Sequence, residues 1–151
     1  MTSAARRHYG DRLISLVVFG SMGRGTQRPD SDLDLLIVAD ALPRGRFARV
    51  EDFAPVEAAL AASLLDGRRA GFHTECSPVF KTPDELLAGS PLLLDMVDDA
   101  RVLYDREGFF ARALDRLKER LARLGARRIW RGNAWFWDLK PDYRPGDVFD
   151  L

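Results

Sequence analysis

The chain has one cysteine, Cys76, among 151 residues. An internal disulfide is therefore excluded, and a structural zinc site lacks ligands, since the two histidines, His8 and His73, stand far apart. No apolar run approaches the roughly 18 residues that a membrane span requires. Residues 1–12, MTSAARRHYGDR, carry no apolar segment of the kind that directs secretion. Net charge is missing as well: Lys+Arg and Asp+Glu number 23 each, without the basic excess that grips a phosphate backbone. No Gly-Lys-Ser/Thr follows a glycine-rich loop, so the chain has no Walker A motif. These absences predict a cytoplasmic protein with no membrane attachment and make nucleic acid an unfavoured partner.

What is present is ordinary globular material, 46% hydrophobic and 30% charged, at a length suited to one domain. A short helix ending near Gly10 is expected first. Leu13 to Phe19 is a continuous β-branched and aromatic run, which predicts a strand buried on both faces. Leu33 to Val38 is again strand-like, with Asp32, Asp34 and Leu36 on one face and Leu33, Leu35 and Ile37 on the other. Phe47, Val50, Ala54, Ala61 and Leu64 approximate a helical stripe between 47 and 65, with Pro55 kinking or dividing that helix. A third strand is expected over 72–80, with Pro78 favouring a sheet edge. Ser90-Pro91 predicts the start of a short helix, and 101–104 a short strand. Phe110, Leu114, Leu117, Leu121 and Leu124 mark a helix over 109–124 that Gly125 stops, and 126–138 predicts a hairpin turning at Gly132-Asn133, followed by an extended tail. The fold expected is α/β or α+β: a small mixed, mostly antiparallel sheet flanked by helices. Its core is expected to include Leu16, Val17, Val18, Phe19, Leu33, Leu35, Ile37, Leu60, Leu64, Leu114 and Leu117.

The stretch 16–39, LVVFGSMGRGTQRPDSDLDLLIVA, concentrates the chemistry. Carboxylates at i and i+2 on a strand project from one face a few ångström apart. In a dry setting such a pair repels and one pKa rises. A hard divalent cation between them makes the arrangement favourable, and magnesium fits best, since it takes one or two carboxylates plus phosphate oxygens. Gly20-Ser21 ends the preceding strand and opens into Met22-Gly23-Arg24-Gly25, exposing backbone N–H groups that suit phosphate, with a serine hydroxyl to add another donor. Glycine is needed where a Cβ would hold phosphate away from the backbone.

Gly-Ser, ten residues, then Asp-x-Asp resembles the nucleotidyltransferase superfamily of polymerase β type, and the chain looks like its minimal stand-alone members, the MNT type. The likeness is specific across 16–39, where Arg24 stands for an arginine often found in that loop, and continues more loosely to about residue 105. It implies a nucleotidyltransferase core over 1–105, with a C-terminal helix, hairpin and tail over 106–151 packed on it. It implies that Asp32 and Asp34 hold two magnesium ions bridging the triphosphate of ATP, and that Gly20, Ser21 and Arg24 bind the nucleotide. A third carboxylate on a neighbouring strand would complete the metal site and help deprotonate the acceptor hydroxyl. Glu75 is the candidate, on one face with His73 and Ser77, although the family usually has aspartate there.

Other residues favour plainer roles. His73 is read as a packed or exposed edge residue, Asp30 and Ser31 as parts of the turn before the strand, and Cys76 as a small core residue without the basic neighbour that activates a thiol. Trp130, Trp135, Phe136 and Trp137, with Arg127, Arg128 and Arg131, could stack on bases, but a hairpin covering the 110–124 helix is the favoured reading.

A polymerase is disfavoured by the short chain without a template-binding domain. Minimal members of the family are commonly paired with helical HEPN proteins, often RNA-cleaving toxins, and some transfer AMP to a tyrosine of the toxin. The resemblance thus implies an antitoxin that modifies a HEPN partner. Nucleotidyl transfer to a small molecule such as an aminoglycoside is the alternative, and a catalytically silent module that binds nucleotide or partner is another. A homo-oligomer is left open.

Overall fold

Strand β1 (Leu13–Val18) is buried at all of its positions because it is an inner strand covered on both faces. The computed structural model, which describes residues 1–132 and 134–148, places it in a four-stranded sheet of order β3-β2-β1-β4. Here β2 is Leu33–Ala39, β3 Cys76–Lys81 and β4 Arg101–Asp105. β1 pairs antiparallel with β2 and β4, while β2 and β3 run parallel, the mixed and mostly antiparallel sheet expected from the pattern. A parallel pair needs a crossover. Helix α3 (Arg46–Arg69) supplies it.

Alternation along β2 sorts the core into two layers. Leu35 and Ile37 face a cluster with Leu16, Phe53 and Val56, built with helix α1 (Thr2–Tyr9) and α3. Leu36 and Val38 face the other cluster with Val17, Met96, Phe110, Leu114 and Leu117, built with helix α5 (Phe109–Leu124). Of the expected core, Leu33 and Leu64 are only half-buried; the other residues named are buried. One polar joint crosses this core. Buried Ser15 donates to Asp105 Oδ1 at 2.7 Å, and the same carboxylate accepts from the backbone N–H groups of Phe110 (2.9 Å) and Ala111 (3.1 Å), satisfying the first turn of α5.

The structure corrects four expectations. α3 is one helix through Pro55, and its buried stripe is Phe53, Val56 and Leu60 rather than the 47–64 series: Phe47 is 92% exposed and Val50 40%. Strand β3 starts at Cys76 and not at residue 72, because Phe72 N–H bonds back to Gly67 O (2.9 Å) and closes the end of α3, while His73 N–H bonds Pro29 O. Gly20 to Arg24 is not open loop but a short helix, α2 (Gly20–Arg24). The Ser90-Pro91 pair opens a 3-10 turn over Pro91–Asp95, with no capping bond from the serine side chain. A capping box stands instead at Thr82 and Glu85, opening helix α4 (Pro83–Leu87). Glu85 also receives both arms of Arg49 at 2.8 Å, tying α4 to α3.

β3 is the edge strand that Pro78 favoured, and its edge is blunted: Pro78 offers no N–H, and the Phe80 carbonyl accepts from Arg49 at 3.3 Å. Strands β5 (Arg127–Arg131) and β6 (Ala134–Asp138) form the separate antiparallel hairpin expected, with Gly132 at positive φ; Asn133 lies outside the described residues. No helix among the described residues is long and apolar enough to cross a membrane.

Packing makes a sharp contrast testable on α3. Phe53→Ala should destabilise the protein by about 3–5 kcal/mol, the range for emptying a buried aromatic site, while Phe47→Ala should stay within about 0.5 kcal/mol of wild type. Urea unfolding followed by far-UV circular dichroism measures both.

Candidate functional site

The site forms where β1 and β2 end together. The Phe19 N–H bonds Asp34 O at 3.1 Å, so the strand carrying the acids and the strand leading into α2 are clipped at the same level. Gly20 then takes φ +65°, and a Cβ there would lie 2.1 Å from Asp34 Oδ2. Only glycine meets both demands. The Asp34 carboxylate therefore sits directly against the backbone at the start of α2.

The first N–H bond of α2 runs from Gly23 to Phe19 O (3.2 Å), so the amides of Gly20, Ser21 and Met22 have no intrahelical acceptor. The turn is closed at its other end by Gly25 in the left-handed conformation, with Thr26 N–H bonding Ser21 O at 2.9 Å. Gly23 is pinned from outside: a Cβ on it would lie 2.2 Å from the backbone carbonyl oxygen of Asp99.

Asp32 is exposed, just before β2, and Asp34 is half-buried two residues on. Burial above all, and then the negative charge of Asp32, lifts the Asp34 carboxyl above its ordinary value of 3.8; the Ser77 hydroxyl donating to it and the nearby Arg24 guanidinium work the other way. Ser77 is Asp34's register partner across the parallel β2–β3 pair. Asp95, at the end of the 3-10 turn, adds a further negative charge felt by Asp34. Its own carboxyl is raised, chiefly by burial, against the pull of Arg24 and Arg128.

Of the expected site residues, Gly20, Ser21, Arg24, Asp32 and Asp34 come together here. Glu75 does not join them. Its side chain is 77% exposed and its carboxylate lies 3.8 Å from Arg68 on α3, although its backbone carbonyl accepts from Leu33 N–H beside Asp32. No group of three or more metal-ligating His, Cys, Asp or Glu side chains occurs among the described residues. The donor set present, Asp32 and Asp34 against a cradle that a Cβ would fill, fits a divalent cation that completes its shell with substrate phosphate oxygens. His73 is exposed; Cys76 is half-buried, and burial pushes its thiol up, away from an activated thiolate. Asp30 is exposed and pairs with Arg28 at 3.5 Å in the turn that Ser31 closes.

Sequence reasoning missed Ser77 as Asp34's partner, and it missed Asp95, Asp99 and Arg128. The Ser77 contact was available in principle from strand register; the other three are brought to the site by tertiary packing alone.

The raised Asp34 pKa has a definite sign. A carboxyl whose folded pKa exceeds its unfolded one contributes stability below the unfolded value and loses it as pH rises through the folded value. Metal-free wild type and Asp34→Asn should therefore match in stability below about pH 3.8, and the variant should become the more stable of the two as pH rises towards neutrality. Thermal unfolding of both proteins across that range, in the presence of a chelator, checks this.

Residues 3–77 match the family described as nucleotidyltransferase domain. A Methanocaldococcus jannaschii protein named as a putative protein adenylyltransferase is 32% identical over 121 residues, 79% of this chain and 77% of that protein. Among solved structures, a mutant of the toxin-antitoxin MntA-HpeT superposes with a TM-score of 0.50 at 20% identity, over 82% of this chain and 90% of that one. The tri-AMPylated Shewanella oneidensis HEPN toxin in complex with MNT antitoxin provides a more distant chain, with a TM-score of 0.46 at 17% identity, over 82% and 86% of the two chains. The chain thus belongs to the nucleotidyltransferase domain family of enzymes.

Proposed function

We propose that this protein is a magnesium-dependent protein adenylyltransferase that moves AMP from ATP to a hydroxyl of a partner protein, and that the partner is a helical HEPN toxin which it restrains as an antitoxin. The observation that carries the reading is the Asp34 carboxylate seated against Gly20, with Asp32 two residues away and the free amides of α2 beside it. The kinship with a protein named for protein adenylylation supports AMP and a protein acceptor. The toxin–antitoxin setting named for the structural relatives supports the choice of partner.

In this reading Asp32 and Asp34 hold two magnesium ions, which when bound neutralise the triphosphate and draw electron density from the α-phosphorus. The amides of Gly20, Ser21 and Met22 and the Ser21 hydroxyl receive phosphate oxygens. Arg24, close enough for Asp34 and Asp95 to feel its charge, keeps the acids from repelling the nucleotide outright. The acceptor oxygen forms its bond to the α-phosphorus as the bond to the β-phosphate bridging oxygen breaks. Pyrophosphate departs and the hydroxyl proton is released. Positioning and charge neutralisation carry most of the acceleration.

Glu75 remains our proposed third acid, joining only when its side chain leaves Arg68. Its outward placement specifically favours a second reading: a protein that binds nucleotide and partner while turning over slowly or not at all.

Incubation with magnesium, α-labelled ATP and a purified HEPN partner separates the two. Adenylyl transfer predicts label on the partner that drops by at least about a hundredfold in Asp32→Ala and Asp34→Ala, as for loss of an electrostatic catalytic group. A tight, unlabelled complex, unchanged in affinity in those variants, would establish the silent module instead.

A further inference from the structure

The C-terminal hairpin reaches the segment that walls the site, and its charged contact there is one largely shielded arginine. Arg128 on β5 has only 14% of its side chain exposed. Its Nη2 donates to Asp99 Oδ2 at 2.6 Å and its Nη1 to Asp98 Oδ2 at 3.3 Å. The guanidinium also lies over two indole rings of its own hairpin, 4.1 Å from the Trp135 centroid and 4.9 Å from that of Trp130. Each ring meets the arginine with one face, and Trp130 remains 56% exposed. The Arg128 Nε is buried without a hydrogen-bond partner among the described residues, so the charge rests on the two bonds of the fork and on the indole faces. The planar fork of arginine supplies that geometry, and lysine does not.

What the fork holds matters more than the pair itself. Asp99 is the residue whose backbone carbonyl oxygen would lie 2.2 Å from a Cβ on Gly23, so the corner at 98–99 presses against the middle of α2. A second tie lies four residues upstream of Asp98: the Trp137 indole N–H on β6 donates to Leu94 O at 3.3 Å, next to Asp95. Between the two ties, Met96 and Val97 are buried in the core. The hairpin therefore grips the 94–99 segment at both ends, and that segment supports the turn whose amides stand beside Asp34.

We propose that Arg128 is a positioning residue of the transfer site: by fixing the Asp98–Asp99 corner it holds α2, through Gly23, in the geometry that receives the triphosphate. The mechanical part of this statement stands on the contacts above; the identity of the ligand rests on the function proposed in the preceding section. The experiment separates the two.

Backbone hydrogen exchange is measured on the full chain for wild type, Arg128→Gln, Arg128→Lys and Asp99→Asn, with Arg127→Gln, an exposed neighbour on the same strand, as control. The clamp predicts that the bonded amides of Gly23, Gly25 and Thr26, and those of residues 94–99, exchange about tenfold faster or more in Arg128→Gln and Arg128→Lys, while those of α1 and α3 keep their wild-type rates. Asp99→Asn, which still offers an acceptor oxygen to the fork, should show a smaller effect, and the control none. If Arg128→Gln fails to fold, the lysine variant decides. Loosening confined to β5 and β6, with Gly23, Gly25 and Thr26 unchanged, would overturn the proposal.

Magnesium-ATP affinity by calorimetry on the same proteins gives the second readout. Weaker binding in both Arg128 variants at temperatures where they are fully folded supports the clamp. Unchanged binding beside altered thermal stability marks Arg128 as merely structural and overturns it. Should wild type itself bind no ATP, the functional reading falls, and the exchange rates still decide whether Arg128 holds α2.

Discussion

The contact between the Asp34 carboxylate and the Cα of Gly20 is the constraint on which the site depends. It demands a glycine for two separate reasons, a positive φ and the lack of room for a Cβ. It also puts a carboxylate where burial penalises its charge, so the metal-free protein carries an electrostatic cost at Asp34. In the proposed reading a bound cation would offset that cost and screen the triphosphate from the carboxylates, while the α2 amides would receive phosphate oxygens. The sheet supplies the rigidity this needs: β1 and β2 are inner strands, clipped together at the Phe19–Asp34 bond and sealed by apolar layers on both faces.

The other wall is assembled from distant sequence. The 3-10 turn ending at Asp95 and the corner at Asp98–Asp99 reach the site from beyond α4, and the hairpin that grips them comes later still. Arg24 and Arg128 bracket Asp95 electrostatically. The C-terminal third is thus more than a cover for the hydrophobic stripe of α5. It grips the acidic segment that packs against Gly23 of α2, and a rigid support of this kind would suit a transfer reaction governed by positioning.

Much of this was legible in the residues, for identifiable reasons. The run from Leu13 to Phe19 and the alternation from Asp32 to Val38 follow the period-2 rule, and because both strands are inner, no tertiary competition shifts them. The helix over 109–124 announced itself by an uninterrupted apolar stripe ended by a glycine. α3 misled because alanine counts as apolar in a periodic pattern yet sits comfortably on a surface. Ala54 and Ala61 completed a stripe that faces solvent, while Phe53, Val56 and Leu60 do the packing. Glu75 was assigned a face by strand parity, but β3 begins one residue later, at Cys76, and the Glu75 side chain turns out towards Arg68. Asp95, Asp99 and Arg128 gave no local signal at all: an acid in a short turn and an arginine in a hairpin acquire meaning only when packing brings them together.

The central claim is that Asp32, Asp34 and the first turn of α2 form one magnesium and triphosphate site. A crystal structure of the protein grown with magnesium and a non-hydrolysable ATP analogue tests it most directly. The account predicts a cation touching both aspartates and phosphate oxygens within hydrogen-bond distance of the Gly20, Ser21 and Met22 amides. Nucleotide bound elsewhere, with the two aspartates touching no cation, would contradict it.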